Sequence, residues 1–126
     1  MDMADEPGFT AELIGQIGEY FLAMIKECAG LQADAYMFGD DWGDQRGLIM
    51  GPELWRKYIK PVQKTIYSAA RTQGKYVMSH GCGNLSGIYA DLIEIGLDVH
   101  ESVQPEPEGM NPYLLKQKWG EDICFW

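Results

Sequence analysis

Apolar positions along the chain repeat one arrangement four times: a helical periodicity, a closing glycine, then a short run of strand-forming residues. In the first unit Leu13, Ile14, Ile17, Phe21, Met24, Ile25 and Cys28 recur at three- and four-residue steps. That spacing predicts a helix from Thr10 to about Ala29 with one buried stripe, capped by Thr10 and Gly30. Ala33 to Phe38 follows as a strand. The second helix opens at Gly51-Pro52-Glu53, with proline at the first helical position and a carboxylate in the first turn. Pro61 should kink or restart it before it runs through Val62, Ile66, Tyr67 and Ala70 to a stop at Gly74. Tyr76 to Met78 is the second strand. A third helix is expected from about Leu85 to Gly96, with a strand over Leu97–His100. The last opens at Asn111-Pro112, ends at Gly120 and leads into a strand over Asp122–Trp126.

Strands alternating with helices predict an α/β fold with a parallel sheet, because parallel neighbours need a crossover and the crossover is usually a helix. Four strands fit either an open doubly wound sheet or an arc of a barrel. No glycine-rich phosphate loop follows a strand, which weakens the dinucleotide-binding form of the open sheet. Four strands and four helices make about half of a closed barrel of eight strands. Residues 1–126 are read as one domain.

Composition narrows the partners. The 126 residues carry a formal charge of −9, and their ten basic residues are scattered. Phosphate backbones and anionic lipids call for clustered Lys and Arg, so nucleic acid is not expected as a partner. No apolar run is long enough to span a membrane, and the acidic start Met1-Asp-Met-Ala-Asp-Glu-Pro7 lacks the pattern of a secretory signal. Three widely spaced cysteines do not form a disulfide framework, so a reducing, cytoplasmic setting is expected. Cys28 and Cys124 are read as core residues.

The polar residues that carry chemistry collect just after the strands, where parallel α/β folds place their sites. Gly39-Asp40-Asp41-Trp42-Gly43 follows the first strand, Ser79-His80-Gly81-Cys82-Gly83-Asn84 the second, and His100-Glu101-Ser102 ends the third. His80 and Cys82 lie two apart, so in an extended segment both side chains point the same way. Imidazole nitrogen and thiolate sulfur are ligands that zinc favours, and Glu101 offers an oxygen. The plainer reading is a hydrogen-bonded strand-end histidine and a small buried cysteine. Asp40 and Asp41 suit acid–base work or cation binding, since paired carboxylates can split their pKa values; equally, one caps the following loop and the other is solvated. Trp42 is either a pocket wall that binds substrate or a core residue. His100 alternates away from Glu101 and reads as structural. Gln104-Pro-Glu-Pro-Glu-Gly109 reads as a solvated loop over the site, a candidate for mobility.

Together these segments resemble the uroporphyrinogen decarboxylase superfamily. The resemblance is carried by Phe38-Gly-Asp-Asp-Trp-Gly43, Gln45-Arg-Gly-Leu48, Gly51-Pro-Glu-Leu-Trp-Arg-Lys-Tyr-Ile-Lys-Pro61, His80-Gly-Cys-Gly-Asn84 and Asp91-Leu-Ile-Glu-Ile-Gly-Leu-Asp98. Val103-Gln104-Pro105 and Trp119-Gly120 continue it in order. Within the superfamily His80-Gly-Cys-Gly83 is similar to the corrinoid-linked and cobalamin-independent methyltransferases. The resemblance implies a (β/α)₈ TIM barrel, zinc on His80 and Cys82, an oxygen ligand at Glu101 as in some relatives, and a substrate-side aspartate at Asp40. It also implies that the chain is a fragment. The barrel's first half, with its arginine-rich N-terminal segment, and the extreme C-terminus, with a second ligating cysteine, have no counterpart here.

Three functions are therefore expected to compete. The first is zinc-dependent methyl transfer between a corrinoid, free or carried by a corrinoid protein, and a small-molecule thiol. The second is tetrapyrrole decarboxylation in porphyrin biosynthesis, with Asp40 stabilising positive charge on a pyrrole. The third is a non-catalytic half-barrel that folds as a homo-oligomer by pairing its exposed sheet edges.

Overall fold

The computed structural model describes residues 2–126. A short helix α1 (Asp2–Asp5) precedes the long α2 (Pro7–Glu27), which ends in a 3₁₀ turn over Cys28–Gly30. The chain continues as β1 (Ala35–Gly39), a helical run of α3 (Pro52–Leu54), a π turn (Trp55–Ile59) and α4 (Lys60–Thr72), then β2 (Tyr76–His80). It finishes with α5 (Tyr89–Glu94), β3 (Val99–Glu101), α6 (Pro112–Trp119) and β4 (Cys124–Phe125). The four strands form one sheet in the order β1-β2-β3-β4, every pair parallel. This is the α/β alternation the sequence pattern implies, arranged as part of a (β/α) barrel. Among the described residues, no helix is long and apolar enough to cross a membrane.

The helix boundaries show local chemistry at work. Pro61 has no N–H to return to the preceding turn, so the ladder shifts register ahead of it. The Lys60 amide bonds five residues back to the Trp55 carbonyl, and α4 restarts with Pro61 in its first turn. The third expected helix begins late, at Tyr89 rather than Leu85. Asn84 Oδ1 accepts from both the amide and the hydroxyl of Ser86, which holds that stretch in a turn before the helix can start. At the last helix Asn111 Oδ1 accepts from the amides of Tyr113 and Leu114, a side-chain cap.

One face of the sheet is covered by helices and forms the core. Trp55, Tyr67, Ala70, Val77, Ile88, Tyr89 and Met110 have no exposed surface there. The other face is open: Met37 and Tyr76, on β1 and β2, are 57% and 64% exposed. Two expectations fail. Cys124, on the edge strand β4, is exposed rather than core. The stripe of α2 is buried only in part, since Ile25 packs fully while Leu13, Ile17 and Met24 remain exposed. Cys28 is half-buried at the end of that helix.

Candidate functional site

The site is assembled by strand register. Gly39 of β1, His80 of β2 and Glu101 of β3 are partners in one row across the sheet. Residues in one row of a parallel sheet project to the same face, so His80 and Glu101 stand side by side. His80 Nδ1 and Glu101 Oε2 are 2.5 Å apart. The ladder continues one step beyond the strands: the Asp40 amide donates to the His80 carbonyl, and the Gly81 amide to the Glu101 carbonyl. Three loops therefore leave the sheet from a fixed rim.

A carboxylate only accepts, so the bond to Glu101 places an imidazole proton on Nδ1, and in the neutral ring the lone pair is then on Nε2. That lone pair faces Cys82 Sγ at 3.4 Å and Asp41 Oδ1 at 3.6 Å. One ligand atom from each of Asp41, His80 and Cys82 lies within 4.8 Å of the other two. For zinc bonded at about 2.0–2.3 Å in a tetrahedron, neighbouring ligand atoms stand about 3.3–3.8 Å apart. The two separations at His80 Nε2 thus fit edges of a tetrahedron around a small dication. Burial, followed by the negative charge of Asp41, pushes the Cys82 thiol up from its ordinary value, and a bound cation reverses that balance.

The loops that carry these groups are locked backbone to backbone. Gly83 has a φ of +79°, and a Cβ there would lie 2.6 Å from the Gly43 carbonyl carbon. Its amide donates to Gln104 Oε1 at 2.8 Å, and the Asn84 amide donates to the Asp44 carbonyl. Asp44 Oδ1 in turn accepts from the amides of Arg46 and Gly47, closing the loop after β1. The acidic stretch after β3 is solvated at Pro105, Glu106 and Glu108, as expected, but it is anchored. Gln104 holds Gly83, Asn84 Nδ2 donates to the Glu108 carbonyl, and Pro107 and Met110 are buried.

Asp40 and Asp41 turn to different environments instead of sharing one. Asp41, with its side chain 64% exposed, accepts from the Cys82 amide through Oδ1. Asp40 accepts from Gln63 Nε2 at 2.9 Å. It lines a cavity of about 130 Å³ with Ile14, Ile17, Phe21, Trp42 and Ile59. Burial pushes its pKa from 3.8 up to about 6, against the opposing Gln63 hydrogen bond. Trp42 walls this cavity and packs edge-on against Trp55, with ring centroids 5.4 Å apart. Gln63 escaped the sequence reading; its signal was an amide on the otherwise apolar stripe of Ile59, Val62 and Ile66. His100 is buried as a structural residue, bonded to the Tyr89 hydroxyl and the Gly81 carbonyl.

The raised Asp40 pKa predicts a stability effect with a definite sign. The folded state binds its proton more tightly than the unfolded chain, so stability is lost as pH rises from about 4 to 6. Asp40→Asn removes the penalty. Discounted for partial solvent screening, it should stabilise the protein by about 1–2 kcal/mol at pH 7.5 and by almost nothing at pH 4. Urea denaturation at both values checks this, and an equal effect at the two would refute it.

The family model for uroporphyrinogen decarboxylase (URO-D) matches residues 1–106. That match spans the first three strands, the loops after β1 and β2, and the first half of the loop after β3. The chain belongs to the URO-D family. No curated protein and no solved structure matches it. Family membership agrees with the four-stranded parallel sheet.

Proposed function

We propose that the chain carries a zinc-dependent methyl-transfer site, with a methyl-corrinoid as donor and a small thiol as acceptor. The observation that carries this reading is His80 Nε2 turned toward Cys82 Sγ at 3.4 Å, on a rim where a carboxylate of Asp41 also converges. Zinc held there would lower the pKa of a substrate thiol and keep it as thiolate for the methyl donor. The chain's own groups do the rest. Glu101 fixes the imidazole tautomer, Asp40 orients substrate or takes a proton beside the small apolar cavity, and Trp42 walls that cavity.

A second reading, decarboxylation of a tetrapyrrole, draws on the family's description and on the half-protonated character of Asp40 near pH 6. It gives His80 and Cys82 no task. Elemental analysis separates the two. Methyl transfer predicts about one zinc per chain, lost in both His80→Ala and Cys82→Ala with the fold intact by circular dichroism. A protein that binds no zinc and releases carbon dioxide from a tetrapyrrole carboxylate would overturn it.

A further inference from the structure

The rim offers two carboxylates to one metal, and they are not equivalent. We infer that Asp41 is the oxygen ligand that joins His80 and Cys82, and that Glu101 is a positioning residue acting through His80. The inference rests on the metal reading above and specifies which groups hold the ion.

The two faces of the imidazole decide the assignment. Glu101 Oε2 is engaged at Nδ1, the nitrogen turned away from Cys82. A metal on Nε2 lies on the opposite side of the ring, so a Glu101 oxygen that keeps the Nδ1 proton cannot also reach the ion. Asp41 Oδ1 instead stands 3.6 Å from Nε2, on the same side as Cys82 Sγ. That separation matches an edge of a zinc tetrahedron, as does the 3.4 Å between Nε2 and Sγ. Asp41 is held there by the Cys82 amide, which donates to Oδ1 at 2.9 Å and ties the carboxylate to the backbone that carries the thiol. An oxygen can accept that backbone bond with one lone pair and ligate with another. A ligand set of one nitrogen, one sulfur and one oxygen leaves a fourth position for substrate, the open geometry of catalytic zinc. The carboxylate–histidine pair behind it is the arrangement that orients metal-bound imidazoles.

The test uses the full chain loaded with zinc or with cobalt(II), whose absorption reports its ligands. Asp41→Asn keeps an oxygen to accept from the Cys82 amide and removes the anionic ligand. It is expected to weaken zinc binding at least 100-fold and to change the visible cobalt bands, with an unchanged melting temperature of the apoprotein. Glu101→Gln keeps an acceptor for Nδ1–H. It should weaken zinc roughly tenfold while preserving the cobalt spectrum of the parent. The opposite pattern, with the spectrum altered by Glu101→Gln and kept by Asp41→Asn, overturns the assignment. Equal, full zinc affinity in both variants also overturns it, while leaving His80 and Cys82 as ligands. A parent protein that takes up neither metal overturns the metal reading itself, and the assignment falls with it.

Discussion

Gly83→Ala is expected to cost about 3 kcal/mol or more of stability and to abolish the proposed zinc binding by the folded fraction. Two separate penalties add. At a φ of +79° a side chain is strained by about 1–2 kcal/mol. The new methyl would also lie 2.6 Å from the Gly43 carbonyl carbon, 2.7 Å from its oxygen and 2.8 Å from the Asp44 carbonyl oxygen. All three are backbone atoms of the loop after β1, which cannot yield as a flexible side chain can; overpacking of this kind costs about 1–3 kcal/mol. The same loop carries Asp41, and Gly83 directly follows Cys82. Forcing the loops apart therefore separates the proposed ligands as well. Gly74→Ala is the control, since Gly74 has a φ of +72° with nothing within 4 Å of the added carbon. It should lose only the strain, about 1–2 kcal/mol. Urea denaturation of both variants, with zinc titration of each, would refute the argument if the two substitutions behaved alike.

Much of the rim was legible because it obeys two short-range rules. Strand–helix alternation places chemistry after the strands, and the period of two turns His80 and Cys82 to one side. Which carboxylate faces which imidazole nitrogen was not legible. That depends on the register that aligns Gly39, His80 and Glu101, and on the turn that sends Asp40 and Asp41 in different directions. A linear pattern shows that Asp40 and Asp41 are adjacent; only the folded backbone shows that one enters an apolar cavity while the other meets a thiol. The stripe of α2 illustrates a different gap. Periodicity reports which positions are apolar, not whether a neighbouring layer covers them, so Leu13 and Ile17 look like Ile25 in sequence and differ in burial. The late start of α5 had a visible cause in Asn84-Leu-Ser86, but local hydrogen bonding there had to outweigh a continuing apolar pattern.

Removing the one fully enclosed imidazole should cost nearly as much as Gly83→Ala and change the sign of the acid response. His100 is 1% exposed. The Gly81 carbonyl can only accept, so the contact from Nε2 at 3.0 Å places the proton there, and Nδ1 accepts from the Tyr89 hydroxyl at 2.8 Å. The ring is thus neutral, and burial holds its pKa below the ordinary 6.5. His100→Ala opens a cavity and leaves a buried carbonyl and a hydroxyl without their partner, an expected loss of about 3–4 kcal/mol. Below pH 6.5 the unfolded chain takes up a proton that folded His100 resists, so this residue removes stability as pH falls. Asp40 works the other way over pH 4 to 6, because its folded form holds a proton more tightly than the unfolded chain. In the parent protein the two trends oppose each other. His100→Ala should expose the Asp40 trend alone, so that the variant gains stability on going from pH 6.5 to 5 relative to the parent. Urea midpoints at pH 7.5, 6.5 and 5 measure it. A constant difference between variant and parent across that range would show that His100 does not resist protonation in the fold.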